Sequence, residues 1–191
     1  MLEEVAVAHP RTPRGAWIEE GLRVLGESGP EAVRVEVLAK RLTVTKGGFY
    51  GYFEDRQALL AEMLETWEEE VTDRIIEQVE AGGGDAVGKL QRMAQLVFEG
   101  DAVVTGFDID LAVRDWARRD PDVAQRMRRV DDRKMAYLRS LYGAICQDEA
   151  EVELRATISF FLWIAGHLAD LDHGARTAAE VRQLIVERLL F

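Results

Sequence analysis

Apolar residues recur along this chain at intervals of three and four, and strict alternation is scarce, a spacing that predicts helix nearly throughout. Trp17, Gly21, Val24 and Leu25 mark one face of a first helix over about residues 12–26, and Ser28-Gly29-Pro30 breaks it. Two short helices joined by a tight turn follow between Arg34 and Tyr52. Glu54 and Asp55 then open a long helix, with acids at its positive end. Its stripe is Leu60, Met63, Leu64, Trp67, Val71, Ile75 and Val79, and Gly82-Gly83-Gly84 ends it.

Further helices are predicted over about residues 85–98, around Ile109, Ala112, Val113 and Trp116, and from Asp120 toward Cys146. Gly100 and Gly106 bracket a connector, and Asp120-Pro121 pairs an N-cap acid with a proline at the first helical position. Val123, Met127, Val130, Tyr137, Leu141 and Ile145 form the expected inner face of that helix. Two last helices cover about residues 149–171 and 175–190, separated by His173-Gly174, for about nine in all. The first ten residues read as a loose tail, and no internal repeat is visible.

Charge changes this picture. The chain carries −11, yet from Arg34 to Tyr52 four cations (Arg34, Lys40, Arg41, Lys46) face one acid, Glu36. A small cationic unit tipped with Tyr50 and Tyr52 on an anionic body points to nucleic acid held at one place. With 48% hydrophobic residues the chain can bury a sizeable core, and 31% charged residues fit a globular chain rather than a disordered one. The single cysteine, Cys146, excludes an internal disulfide framework and reads as a small buried apolar group. No apolar leader and no uncharged stretch long enough for a membrane span is expected, so the chain is placed in the cytoplasm, with no membrane partner.

The unit from Arg34 to Tyr52 reads as a helix-turn-helix. Leu38, Leu42, Val44 and Phe49 pack its helices together, and Ala39 is small where they cross. Thr45 is positioned to cap the second helix through its hydroxyl, and Lys46, Gly47 and Gly48 fill the first turn, the part that enters a major groove in this motif. Arg56 is expected to clamp a backbone phosphate. The run Val44-Thr-Lys-Gly-Gly-Phe-Tyr-Gly-Tyr-Phe-Glu-Asp-Arg-Gln-Ala-Leu-Leu60, with Trp17 and Gly21–Leu25 before it, closely resembles the amino-terminal domain of the TetR family of transcriptional regulators.

That resemblance implies an all-α fold in two parts. Residues 1–55 would be a three-helix helix-turn-helix DNA-binding domain, and residues 56–191 a helical ligand-binding and dimerisation domain. It implies a ligand-responsive repressor that binds a palindromic operator in double-stranded DNA as a homodimer, and not an enzyme. Arg34, Thr45, Lys46, Gly47, Gly48, Tyr50, Tyr52 and Arg56 would serve DNA. Three positions depart from the family pattern. Thr43 replaces the usual turn glycine, Arg34 a frequent capping threonine, and Gly51 a common ring residue. These departures and the overall acidity keep a second reading open, a helical dimer that binds a small molecule or a protein without recognising DNA.

In the remainder, Ile158 to Leu168 is apolar almost all round, which implies two buried faces rather than one. A twofold interface using Phe160, Phe161, Trp163, Ile164, Leu184 and Ile185 accounts for the excess; a central helix buried within one subunit is the alternative. Trp67, Met93, Phe98, Phe107, Trp116, Met135, Leu138 and Tyr142 lie on helices expected to enclose a cavity for an apolar or aromatic effector. Asp110, Arg114 and His167 could orient it. An effector entering there is expected to tilt the long helix and so separate the paired DNA-reading heads. His167, Asp170 and His173 have a metal-like spacing but read as a polar helix end, so neither metal nor cofactor is expected. Arg128 to Lys134 mixes signs and reads as a solvated face with intrahelical pairs. No nucleophile elbow, phosphate loop or catalytic carboxylate pair appears.

Overall fold

The structure, a computed structural model, describes residues 12–98, 107–165 and 171–190. The predicted tail, the Gly100–Gly106 connector, His167 and Asp170 lie outside the described residues. Among the described residues there are nine helices and no strand. They are α1 (Arg14–Ser28), α2 (Val35–Arg41), α3 (Lys46–Phe49), α4 (Arg56–Glu68, continuing through Glu69–Arg74 and Ile75–Ala81), α5 (Ala86–Phe98), α6 (Phe107–Ala117), α7 (Pro121–Gly143), α8 (Glu149–Ala165) and α9 (Ala178–Leu190). No described helix is long and apolar enough to cross a membrane.

The ends of these helices follow from local chemistry. Gly29 takes φ 78° and returns its N–H to the Leu25 carbonyl at 2.9 Å, closing α1. Asp55 caps α4 through the Ala58 N–H (2.8 Å), Asp85 caps α5 through Gly88 (2.9 Å), and Asp120 caps α7 through Asp122 (3.0 Å). The start of α9 differs from the sequence expectation. Thr177 and Glu180 form a reciprocal capping box, Glu180 N–H to Thr177 Oγ1 at 3.2 Å and Thr177 N–H to Glu180 Oε2 at 2.7 Å, so the helix opens at Ala178. Cys146 sits just beyond the end of α7 and is only half-buried, against the expectation of a buried thiol.

Within α4, the stretch Glu69–Arg74 is π-helical. The stripe explains it. Trp67, Val71, Ile75 and Val79 stand four apart, and a regular α-helix would carry each about 40° past the one before. One wider turn keeps all four inward, and all four are buried.

Two hydrophobic clusters result. The first unites α1, α2, α3 and the start of α4 with Ile109 and Val113 of α6 and Val123, Met127 and Val130 of α7. Gly21 lets α1 approach α4 closely, since a Cβ there would come within 2.6 Å of Met63 Sδ. The second gathers Ile75 and Val79 of α4, Leu90 and Met93 of α5, Leu138, Leu141 and Tyr142 of α7, and Ala156 of α8. Arg56 holds the front of α4, its Nε donating to the Val33 carbonyl at 2.6 Å and its Nη2 to that of Pro30. Arg92 of α5 holds the back, donating to the carbonyls of Val79 (2.8 Å), Gly82 (3.0 Å) and Gly83 (3.1 Å).

The inner face of α7 adds to the sequence reading. Lys134 and Leu138 are also buried on that face, and Tyr137 packs half-buried on the second cluster while donating its hydroxyl to Glu80 at 2.7 Å. The charges of this stretch pair across helices rather than along one, Arg126 with Glu68 at 2.8 Å and Arg133 with Asp73 at 3.1 Å. Arg128, Arg129, Asp132 and Arg133 are exposed, as expected of a solvated face, but its pairs cross to α4 instead of running along α7.

Candidate nucleic-acid interface and effector cavity

The turn between α2 and α3 is a Schellman closure: the Val44 N–H reaches the Ala39 carbonyl at 2.9 Å and the Thr43 N–H that of Lys40 at 3.2 Å. That geometry needs a left-handed residue, and Thr43 supplies it at φ 57°. A β-branched residue there is strained, so the turn keeps the shape a glycine would give and stores the cost. Leu38 and Phe49 are fully buried, and Leu42 and Val44 pack beside them. Trp17 meets Phe49 edge-on at 5.4 Å and Phe53 stacks on Phe49 at 5.1 Å, so α3 sits on an aromatic base.

On that base Lys46 and Tyr50 stand outward. Tyr50 is 62% exposed, its ring edge against Phe49 at 5.2 Å. Lys46 Nζ lies 2.6 Å from Glu36 Oε1, both side chains exposed. The hydrogen bond from Lys46 holds the Glu36 carboxyl below its usual range. Thr45 and Gly47 are exposed and Gly48 is partly covered. Tyr52 packs half-buried against the first cluster.

Two sequence expectations change here, at Thr45 and Arg56. Thr45 occupies the N-cap position of α3, but its hydroxyl accepts no cap hydrogen bond; only its carbonyl does, from the Gly48 N–H at 3.1 Å. Arg34 takes the N-cap position of α2 and leaves it uncapped, as a side chain without an acceptor should, and donates to the Glu31 carbonyl at 3.1 Å. Arg56 is the latch of α4, so its guanidinium is committed to main-chain carbonyls rather than held out for phosphate. Arg41 is likewise drawn back, to Glu27 at 2.6 Å and Glu20 at 3.3 Å on α1. The local excess of four cations over one acid is thus partly answered by α1, which a count confined to the segment misses.

The second cluster encloses a cavity of about 50 Å³ between α5, α7, α8 and α9. Its walls are Leu90, Met93, Ala94 and Val97, then Leu138 and Tyr142, then Ser159, Leu162 and Trp163, and finally Ile185 and Val186. The Tyr142 hydroxyl and Ser159 Oγ share a 2.8 Å hydrogen bond, and burial raises the Tyr142 phenol against the opposing effect of that bond. Of the eight expected cavity residues, Met93, Leu138 and Tyr142 line it. Trp67 and Trp116 belong to the first cluster, Met135 packs beside the second without lining the cavity, and Phe107 opens α6 half-buried. Phe98 ends α5.

The outer surface of α8 separates from the inner one. Leu154 (53% exposed), Ile158 and Phe161 (61%) stand at helical spacing on one stripe, and Leu184 of α9 is also exposed. Phe160 packs on the second cluster and Ile164 is half-buried. Trp163 and Ile185, expected at a twofold interface, face the cavity instead.

A buried charge group lies beside the cavity, and sequence reading missed its centre. Lys134, 5% exposed, has Asp110 Oδ1 3.6 Å from its Nζ and the Trp163 ring centroid at 4.9 Å. Arg114 joins Asp110 (Nε to Oδ2, 2.8 Å) to Asp131 (3.0 and 2.7 Å). Burial pushes the Lys134 ammonium well below its usual range, opposed by Asp110. The signal was present: Val130, Lys134 and Leu138 are spaced by four, which sets the lysine on the apolar stripe.

The family described as bacterial regulatory proteins, tetR family, matches residues 18–63. No curated protein matches the chain. Among solved structures, a transcriptional regulator from Rhodococcus sp. Rha1 superposes with a TM-score of 0.67 at 23% identity, over 94% of this chain and 92% of that one. The ketosteroid transcriptional regulator KstR2 of Mycobacterium tuberculosis gives 0.65 at 18% identity, over 95% of each chain. AibR, solved with isovaleryl coenzyme A and operator DNA, gives 0.60 at 16% identity, over 92% of this chain and 97% of that one. Residues 18–63 thus match the tetR family of bacterial regulatory proteins, and the fold of the chain is similar to that of these solved transcriptional regulators.

Proposed function

We propose that this chain is a ligand-responsive transcriptional repressor that binds a palindromic operator as a homodimer. The observation that carries the reading is the outward stance of Lys46 and Tyr50 on a helix-turn-helix of matching family. Residues 1–55 serve as the DNA-binding unit and residues 56–191 as the effector-binding and dimerisation unit. α3 enters the major groove, with Thr45, Lys46, Gly47 and Tyr50 toward DNA and Gly48, Tyr52 and Arg34 beside them; Lys46 positions the phosphate backbone as much as it reads bases. Two copies joined along Leu154, Ile158, Phe161 and Leu184 set their half-sites about 34–36 Å apart or a multiple of it. The protein acts in the cytoplasm and catalyses no reaction.

The cavity at Leu138 and Tyr142 takes the effector, an apolar or aromatic molecule. That KstR2 is a ketosteroid regulator and that AibR was captured with both an acyl coenzyme A and its operator support a fold of this kind serving both ends. α4 links them, since its first half lies in the cluster under α3 and its last turns lie in the cluster around the cavity. A coupling of about 1–3 kcal/mol changes operator affinity roughly 5- to 150-fold.

Selection from a random duplex pool tests this. Palindromic sites are expected, and Lys46→Ala should weaken binding to the selected site and reduce its salt slope by about one unit. A pool that yields no preferred sequence would mean a helical dimer without DNA recognition. Phe161→Glu should shift sedimentation toward the monomer; an unchanged profile would move the interface elsewhere.

A further inference from the structure

A second, smaller space adjoins the effector cavity. It holds about 10 Å³ and is lined by Val71, Thr72, Lys134, Tyr137 and, in common with the larger cavity, Met93 and Trp163. Thr72 lies in the π-helical turn of α4, 2% exposed, and its hydroxyl has no hydrogen-bond partner. A helical threonine ordinarily returns its hydroxyl to a carbonyl one turn back, so a buried, unanswered one is costly. Across the same space stands the Lys134 ammonium, with its nearest carboxylate oxygen at 3.6 Å, beyond a good hydrogen bond.

A buried hydroxyl without a partner faces a buried ammonium held by a 3.6 Å ion pair and the Trp163 ring, in a gap that shares Met93 and Trp163 with an apolar cavity; together they describe the head end of a ligand site. Size and charge narrow the head. About 10 Å³ is at the lower limit for one water, which suits a single oxygen better than a two-oxygen carboxylate. The charges already balance, Asp110 and Asp131 against Arg114 and Lys134, so a carboxylate would leave a buried anion unmatched.

Resting on the reading that this cavity takes the effector, we infer that the effector is an apolar molecule ending in one neutral acceptor oxygen, a ketone-, ester- or amide-type carbonyl, seated between Lys134 Nζ and Thr72 Oγ1. Its body fills the space walled by Leu90, Leu138 and Tyr142. Its oxygen then rests on the π-helical turn of the helix that leads to the DNA-binding unit.

Calorimetric titration of the intact protein with three matched probes, ethylbenzene, acetophenone and phenylacetate, tests the assignment. Acetophenone should bind about tenfold more tightly than ethylbenzene, with phenylacetate weakest. Lys134→Met should erase that preference but leaves Asp110 with Arg114 as its one charged partner and threatens folding. Thr72→Val is therefore the decisive variant: it should cut the acetophenone preference to under about threefold, leave ethylbenzene binding unchanged, and keep or raise Tm, because it removes an unsatisfied hydroxyl. Tightest binding of phenylacetate, or a preference that survives Thr72→Val, overturns the head-group assignment alone. Failure of all three probes, ethylbenzene included, overturns the effector cavity beneath it.

Discussion

Trp17, Leu25, Leu38, Phe49 and Leu59 are fully buried at the centre of the first cluster, and rings meet rings there at about van der Waals contact. Around Leu138 the packing opens into a void, with Ala94, Val97, Leu162 and Ile185 only partly covered at its edge. One chain thus builds a filled core under its DNA-reading head and an unfilled one where an effector would sit. Close packing transmits displacement and tolerates little change in volume. A void accepts volume, and an effector that overfills it would spread the helices that bound it. On the proposed function, the filled core would move as a body and the void would deform.

Trp17→Ala should break the first core outright, costing about 3–5 kcal/mol in chemical denaturation; a loss near that expected for an exposed site would end the contrast. Overpacking sharpens it. Ala39→Leu, between α2 and its neighbours, should cost about 1–3 kcal/mol. Ala94→Leu, facing the void, should change stability by under about 0.5 kcal/mol while weakening binding of an apolar probe, checked by the same melts and by titration. Equal costs at the two alanines would show that the void is not real. Thr43→Gly should stabilise by about 1 kcal/mol, through release of the left-handed strain, with no loss of operator affinity. Smallest is Glu36→Gln. Releasing Lys46 from this exposed pair should tighten DNA binding by at most about fivefold at low salt, and less as salt rises.

Much of the filled core was legible because its residues repeat with helical period and its turns carry distinct signals. The stripe from Leu60 to Val79 and the Asp120-Pro121 start were both readable from spacing alone, and both stand in the structure. The cavity was harder to read. Trp67 and Trp116 share size and polarity with Trp163, and nothing local separates an aromatic ring that completes a core from one that walls a void. Trp163 and Ile185 were assigned outward because an all-round apolar helix shows how many faces are buried but not which neighbour covers each. The commitments of Arg41 and Arg56 were invisible for a related reason: their partners lie 14 to 26 residues away, on elements whose meeting only the fold decides. Lys134 had a signal in its spacing, and it was passed over because a cation on an apolar stripe runs against its usual place.

Arg56 and Arg92 fasten the two ends of α4 to separate parts of the molecule. A rod pinned at both ends does not swing about either; pushed from the side, it bows at its weakest section. In α4 that section is the wide turn at Glu69–Arg74, where backbone bonding is already irregular. A bow there would change the angle at which the front half of α4 meets its back half.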